Sequence, residues 1–247
     1  MSRSAPIDPT MLLRDIVRQR PAAIGVLDAY RVDWCCGSRR TLAEACASAG
    51  AKLAEVMAAL ERGAARSADP PAFAELAGRS VTELVGLVRD GHHAFTRAEG
   101  PRLRSLATEV AARHGAEHSE LVAVEELVQG LFDALETHMI KEERVLFPFI
   151  VALDEAVRAN ARPPAAPFGP LSRPIQAMVA DHEEAGRILD ELVRVTNGFE
   201  IPSQACASWS ALYEGLRAHH ADLRRHVWIE NELLFPSAIV LEQRVAH

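Results

Sequence analysis

Apolar residues recur along most of this chain every three or four positions, and stretches where they alternate strictly with polar ones are scarce. That period predicts helix nearly throughout and requires no strand. Ala, Leu, Glu and Arg, all good helix formers, reinforce it. Two short helical patterns, Pro9 to Tyr30 and Thr41 to Arg62, flank Asp33-Trp34-Cys35-Cys36-Gly37-Ser38, and a polar, proline-bearing stretch follows from Arg66 to Pro71. The expected organisation is a small helical domain over 1–66, a linker over 67–79 and a second domain over 80–247. Within the second domain four longer helical stretches are expected, at about 80–113, 119–158, 171–196 and 204–243. Four helices of that length make an all-α antiparallel bundle. The segment 160–170 between the second and third holds four prolines and cannot continue a helix, but it is long enough to cross one end of the bundle.

An internal repeat runs through the bundle. His138-Met139-Ile140-Lys141-Glu142 leads to Leu146-Phe147-Pro148, and His226-Val227-Trp228-Ile229-Glu230 leads to Leu234-Phe235-Pro236, so both segments read H-x3-E-x3-L-F-P. Four residues turn a helix by roughly 400°, so the His and Glu of each pair point the same way from adjacent turns. Each pair has a histidine on the helix before it: His93 for the first and His182 for the second. Leu146, Phe147, Leu234 and Phe235 read as core packing, and Pro148 and Pro236 as kinks or stops.

Imidazoles and carboxylates aimed inward from four helices form a buried polar cluster that is costly unless something satisfies it. A pair of metal ions does so, with Glu142 and Glu230 as bridging candidates and the histidines as caps. If both carboxylates bridge, the six side chains give roughly four donor atoms per metal and leave positions open. All-N/O ligation fits iron or manganese better than a closed structural zinc site. His92 and His93 diverge by about 100° on a helix, so only one of them can be a ligand. His114, His118, His219, His220 and His247 lack an H-x3-E partner and read as solvated or capping residues. Glu143, Glu183, Glu184 and Glu232 read as a solvated face, one of which could hold an imidazole N–H.

Composition narrows the class. The chain has 247 residues, 49% of them hydrophobic, which is enough for a core without staples. A formal charge of −7, with no Lys/Arg-rich run, gives no field for nucleic acid. The first thirty residues lack an apolar core behind a basic end, and charges interrupt every apolar run before bilayer length. A soluble, cytoplasmic protein with no membrane contact is expected. Four cysteines are too few and too unevenly placed for a disulfide framework. Cys46 and Cys206 read as small buried hydrophobes. For Cys35 and Cys36 two readings stand: a redox or metal-handling thiol site, favoured by Arg39-Arg40 and the helix start at Thr41, or small residues packed under Trp34.

The run Asp33-Trp34-Cys35-Cys36-Gly37 with Thr41-Leu42-Ala43-Glu44-Ala45-Cys46, taken with His93, His138-x3-Glu142, Asp181-His182-Glu183-Glu184-Ala185-Gly186 and His226-x3-Glu230, resembles the di-iron iron-sulfur cluster repair proteins (Repair of Iron Centers family). The similarity spans nearly the whole chain, both the cysteine-bearing N-terminal domain and a hemerythrin-like bundle. It implies a cytoplasmic protein that restores iron-sulfur clusters damaged by nitric oxide or peroxide. It also implies an oxo-bridged centre of two iron ions held by His93, His138, Glu142, His182, His226 and Glu230, and it selects His93 over His92. Cys35 and Cys36 would then take part in thiol exchange or transfer, damaged iron-sulfur proteins would be the partners, and nitric oxide or oxygen species the small ligands. The family usually follows the cysteine pair with two glycines, where this chain has Gly37 and Ser38. A homodimer bringing the cysteines of one chain to the iron of another is compatible with the linker. Two other functions bear comparison: reduction of nitric oxide at the iron pair, which would make the protein an enzyme, and reversible oxygen carriage or sensing. Carriage normally uses five histidines, and the repeat supplies four.

Overall fold

The computed structural model describes residues 7–35, 37–63, 76 and 78–245, and among these it contains helices but no strand. The chain divides into two compact units, Met1–Arg79 with Asn231–Leu233, and Ser80–Glu230 with Leu234–His247. Of the expected linker, 67–75 and 77 lie outside the described residues.

The first unit holds four short helices, α1 (Leu13–Gln19), α2 (Ala23–Ala29), α3 (Leu42–Ser48) and α4 (Leu53–Gly63). Three of them are seven residues long, too short to persist in water unaided. Packing supports them: Leu13, Val17, Leu27, Val32, Leu42 and Val56 are fully buried. Helix α3 also carries a reciprocal cap, in which Thr41 accepts from the Glu44 N–H while Glu44 accepts from the Thr41 N–H. The turn before it needs glycine, because a Cβ on Gly37 would stand 2.6 Å from the Asp33 carbonyl oxygen.

The second unit is built from four rods. The first runs 81–114, as α5 (Val81–Leu87), a π-helical segment (Val88–His93) and α6 (Ala94–His114). Ser80 and Glu83 cap its start reciprocally. The second runs 120–158, as α7 (Glu120–Lys141), a π-helical segment (Glu142–Leu146) and α8 (Phe147–Arg158). The third is α9 (Ser172–Val195). The fourth runs 207–245, as α10 (Ala207–Ile229), a π-helical segment (Glu230–Leu234) and α11 (Phe235–Val245). Helix α7 packs against α6 and α9, α6 against α10, and α8 against α5 and α11. The result is the expected all-α bundle. Where α10 crosses α6 the side chains of α6 lie so close to the α10 backbone that a Cβ on Gly215 would meet Leu103 Cδ2 at 2.5 Å and Arg102 Nη2 at 2.8 Å. The proline-rich connection is fastened at its end by the Leu171 N–H donating to Glu242 and by Phe168 against Phe149. No helix among the described residues is long and apolar enough to cross a membrane.

Pro148 and Pro236 were expected to kink or stop their helices, and they do not stop them. Each is the second residue after a π-helical segment, and the rod continues. In the turn before each proline, Phe147 N–H reaches back five residues to Glu142 O, and Phe235 N–H to Glu230 O. A helix that has already shifted its hydrogen-bond register loses little by a missing N–H at that point.

Candidate metal centre

All six residues expected to bind metal lie in the bundle interior. His93, Glu142 and Glu230 are wholly buried, and His138, His182 and His226 nearly so. Two overlapping donor groups form, His93 with His226 and His138 with His182, each joined by both Glu142 and Glu230, with donor atoms within 4.8 Å of one another. The two carboxylates are thus common to both groups. Glu142 Oε2 is 3.3 Å from His93 Nε2 and 3.2 Å from His138 Nε2, one imidazole of each group. Glu230 divides its oxygens, Oε2 at 3.0 Å from His182 Nε2 and Oε1 at 3.2 Å from His226 Nε2. The Nε2 atoms themselves face in pairs, His93 to His226 at 3.3 Å and His138 to His182 at 3.1 Å.

The pairing differs from the sequence halves. The repeat couples His93 with His138 and His182 with His226, whereas each spatial pair takes one histidine from each half. The rod packing explains this, since α6 lies against α10 and α7 against α9. The phenylalanines keep the sequence pairing: Phe147 stacks on His93 and Phe235 on His182. They are core residues, as expected, and they also fix two imidazole planes.

The polar atoms of this cluster are not satisfied by protein. None of the four carboxylate oxygens of Glu142 and Glu230 makes a well-directed hydrogen bond, nor does Nδ1 of His226. Buried acceptors left in that state are costly, and a cation shared by imidazoles and carboxylates is what this donor set suits. Without one, the cluster balances its own charges. Burial and the facing Glu230 push Glu142 up, but His138 and His93 outweigh them and hold it low. Burial likewise opposes ionisation of Glu230, and His226 and His182 bring it well below the usual range. Burial opposes charging of His138, yet Glu142, Glu230 and Asp181 raise it to about 9. His226 is lowered by burial despite Glu230.

Two partly exposed carboxylates flank the cluster. Glu143 Oε1 lies 2.7 Å from His93 Nδ1 and 2.7 Å from Arg97 Nη2. Asp181 Oδ2 lies 3.3 Å from His138 Nδ1 and 2.9 Å from Lys141 Nζ. Such carboxylates fix the tautomer and orientation of a ligating imidazole. Glu143 was expected on a solvated face with such a role open to it, and it occupies that role; Glu183 and Glu184 are exposed. Asp181 was missed as a partner, and its one signal was its place beside His182.

Other histidines depart from the expectation of solvent. His219 is 1% exposed, close to Phe95, Phe132 and Thr96, and burial lowers it to about 4. Its position seven residues before His226 places it on the inward face of α10, a position that the H-x3-E pattern does not mark. His92 is buried too, turned from His93 toward Asp222. His114 is half-buried beside Cys206, with Nε2 3.3 Å from Sγ, so Cys206 is not the buried hydrophobe expected, whereas Cys46 is. His118 and His220 are half-buried. His247 lies outside the described residues.

In the first unit Cys35 is buried, its Sγ 3.2 Å from Asp33 Oδ1, and Trp34 Nε1 donates to Asp28. The start of α3 is closed by its own cap, Thr41 with Glu44. Cys36 lies outside the described residues.

A helical bundle with histidines and two shared glutamates at its centre defines a hemerythrin-like protein, and residues 84–238 match the Hemerythrin HHE cation binding domain. Residues 10–64 match ScdA_N, a domain of unknown function. Over 89% of its length the chain is 30% identical to the iron-sulfur cluster repair protein YtfE of Pectobacterium atrosepticum, covering 92% of that protein. It is 30% identical to YtfE of Escherichia coli O157:H7 and of Shigella boydii serotype 4, over 93% of this chain and 97% of each of those. The chain belongs to the family of hemerythrin-domain iron-sulfur cluster repair proteins.

Proposed function

We propose that this protein repairs iron-sulfur clusters damaged by nitrosative or oxidative stress, and that it works through two iron ions held in the bundle. His93 and His226 would hold one ion and His138 and His182 the other, with Glu142 and Glu230 available to both. The observation that carries the reading is the sharing of both buried carboxylates, with all four oxygens lacking hydrogen-bond partners, between two pairs of facing imidazoles. When bound, an iron pair supplies reducing equivalents and open positions for small ligands such as nitric oxide. The protein's own part is to orient and enclose. Glu143 and Asp181 hold the rings of His93 and His138, Phe147 and Phe235 brace those of His93 and His182, and burial excludes bulk water. Four imidazoles in the two donor groups, rather than five, favour repair over oxygen carriage.

Cys35 and Cys36 are assigned to thiol exchange with damaged clusters in the cytoplasm. What supports this is that relatives bearing the repair name align with nearly the whole chain. Metal analysis with Mössbauer spectroscopy tests the centre: two coupled irons per chain are expected, and a single zinc, or no metal, would overturn it. Recovery of an iron-sulfur enzyme in nitric-oxide-treated extract tests repair, since a purified protein that does not speed recovery fails the reading.

A further inference from the structure

Two of the four inward imidazoles present Nδ1 to a carboxylate, His93 to Glu143 and His138 to Asp181. Nδ1 of His226 is buried with no hydrogen-bond partner. One turn earlier on α10 stands Asp222, whose Oδ2 is also buried with no partner. Its other oxygen, Oδ1, is 2.8 Å from Nδ1 of His92. The His92 ring lies nearly parallel to that of His226, at an angle of 9° and 5.6 Å between centroids. Two stacked imidazoles and one carboxylate therefore leave one nitrogen and one oxygen unmatched among them. The spacing of Asp222 and His226, i and i+4, puts both on one face of the helix.

We infer that Asp222 is the positioning carboxylate of His226, accepting its Nδ1–H through Oδ2 while Oδ1 keeps His92. The inference rests on the reading of His226 as a ligand. A cation at Nε2 confines the remaining ring proton to Nδ1. That proton then needs an acceptor, and Asp222, one turn earlier on the same helix face, carries a buried oxygen with no other partner. Glu143, Asp181 and Asp222 would then each serve a different histidine, and the His93/His226 half of the centre would depend on Asp222 while the His138/His182 half would not.

The test uses the full-length iron-loaded protein and reads iron release into a chelator alongside the Mössbauer spectrum. Asp222→Asn keeps the volume but has one acceptor instead of two. It should release one of its two irons roughly 10–100-fold faster than wild type and alter one of the two iron environments, the other unchanged. Asp181→Asn should show the same asymmetry at the other iron. His92→Phe keeps a stacked ring and breaks the bond to Asp222 Oδ1 while leaving Asp222 free to serve His226, so its release should stay within about threefold of wild type. If His92→Phe loses iron as Asp222→Asn does, Asp222 acts through His92 and the inference is wrong. If wild type holds two irons and Asp222→Asn retains both at the same rates, the inference alone is overturned. A wild type that binds no pair of metals overturns the metal reading, and this inference with it.

Discussion

Single residues in this bundle carry unequal consequences, and the donor groups say which. Glu142 belongs to both groups, His93 to one. Glu142→Gln should leave well under one metal per chain, whereas His93→Ala should leave roughly one, as metal analysis after gel filtration would show. Equal losses would mean that the carboxylate does not bridge. His219 governs stability rather than metal. Its burial keeps it neutral, with its ionisation lowered from the ordinary 6.5 to about 4. The unfolded chain therefore takes up a proton that the folded one refuses as pH falls below 6.5, and the cost grows until about pH 4. At pH 5 the wild type should lose roughly 2 kcal/mol through this residue relative to pH 7.5. Urea unfolding of the metal-free protein at both pH values, compared with His219→Phe, measures the difference. The two proteins should separate as pH drops, and parallel curves would show that His219 is charged in the fold.

At the scale of elements, the four rods were legible because their apolar period is long and regular, and the observed helices begin and end within a few residues of the expected ones. The π-helical segments were not legible. A π-turn adds one residue to a turn and has no composition of its own, so H-x3-E-x3-L-F-P looks the same in either register. Yet each segment includes a candidate ligand: His93 ends the first, and Glu142 and Glu230 begin the other two. The extra residue sets the phase between Glu142 upstream and Phe147 downstream. Spatial pairing of histidines across the repeat was also hidden, since it depends on which rods are neighbours. Close approach of α10 to α6 puts His226 beside His93, and it requires Gly215. With Leu103 fully buried behind it, Gly215→Val should destabilise the bundle by roughly 1–3 kcal/mol, read as a lower urea midpoint.

For the whole molecule, each unit carries its own chemistry: a cysteine turn in one and a His/Glu cluster in the other. Five of the six bundle residues were legible because they repeat, and a repeat of polar residues on inward helix faces has few purely structural explanations; the choice of His93 over its neighbour His92 came from resemblance to a family. The cysteine pair occurs once, so residue chemistry left its two readings open and only resemblance to a family chose between them. Its surroundings explain why. A carboxylate beside Cys35 Sγ, and a helix end closed by Thr41 and Glu44, depend on how the turn folds rather than on which residues it contains. If the units divide the work, damage to one should leave the other intact. Cys35→Ser/Cys36→Ser should bind two irons with an unchanged Mössbauer spectrum, because all six metal candidates lie in the second unit. The same variant should fail to restore an iron-sulfur enzyme in stressed extract, where wild type restores it. Full recovery by the double variant would put the whole reaction in the bundle and reduce the cysteines to packing under Trp34. Loss of iron along with recovery would show instead that the thiols reach the metal or govern its loading, and the division of labour would fall.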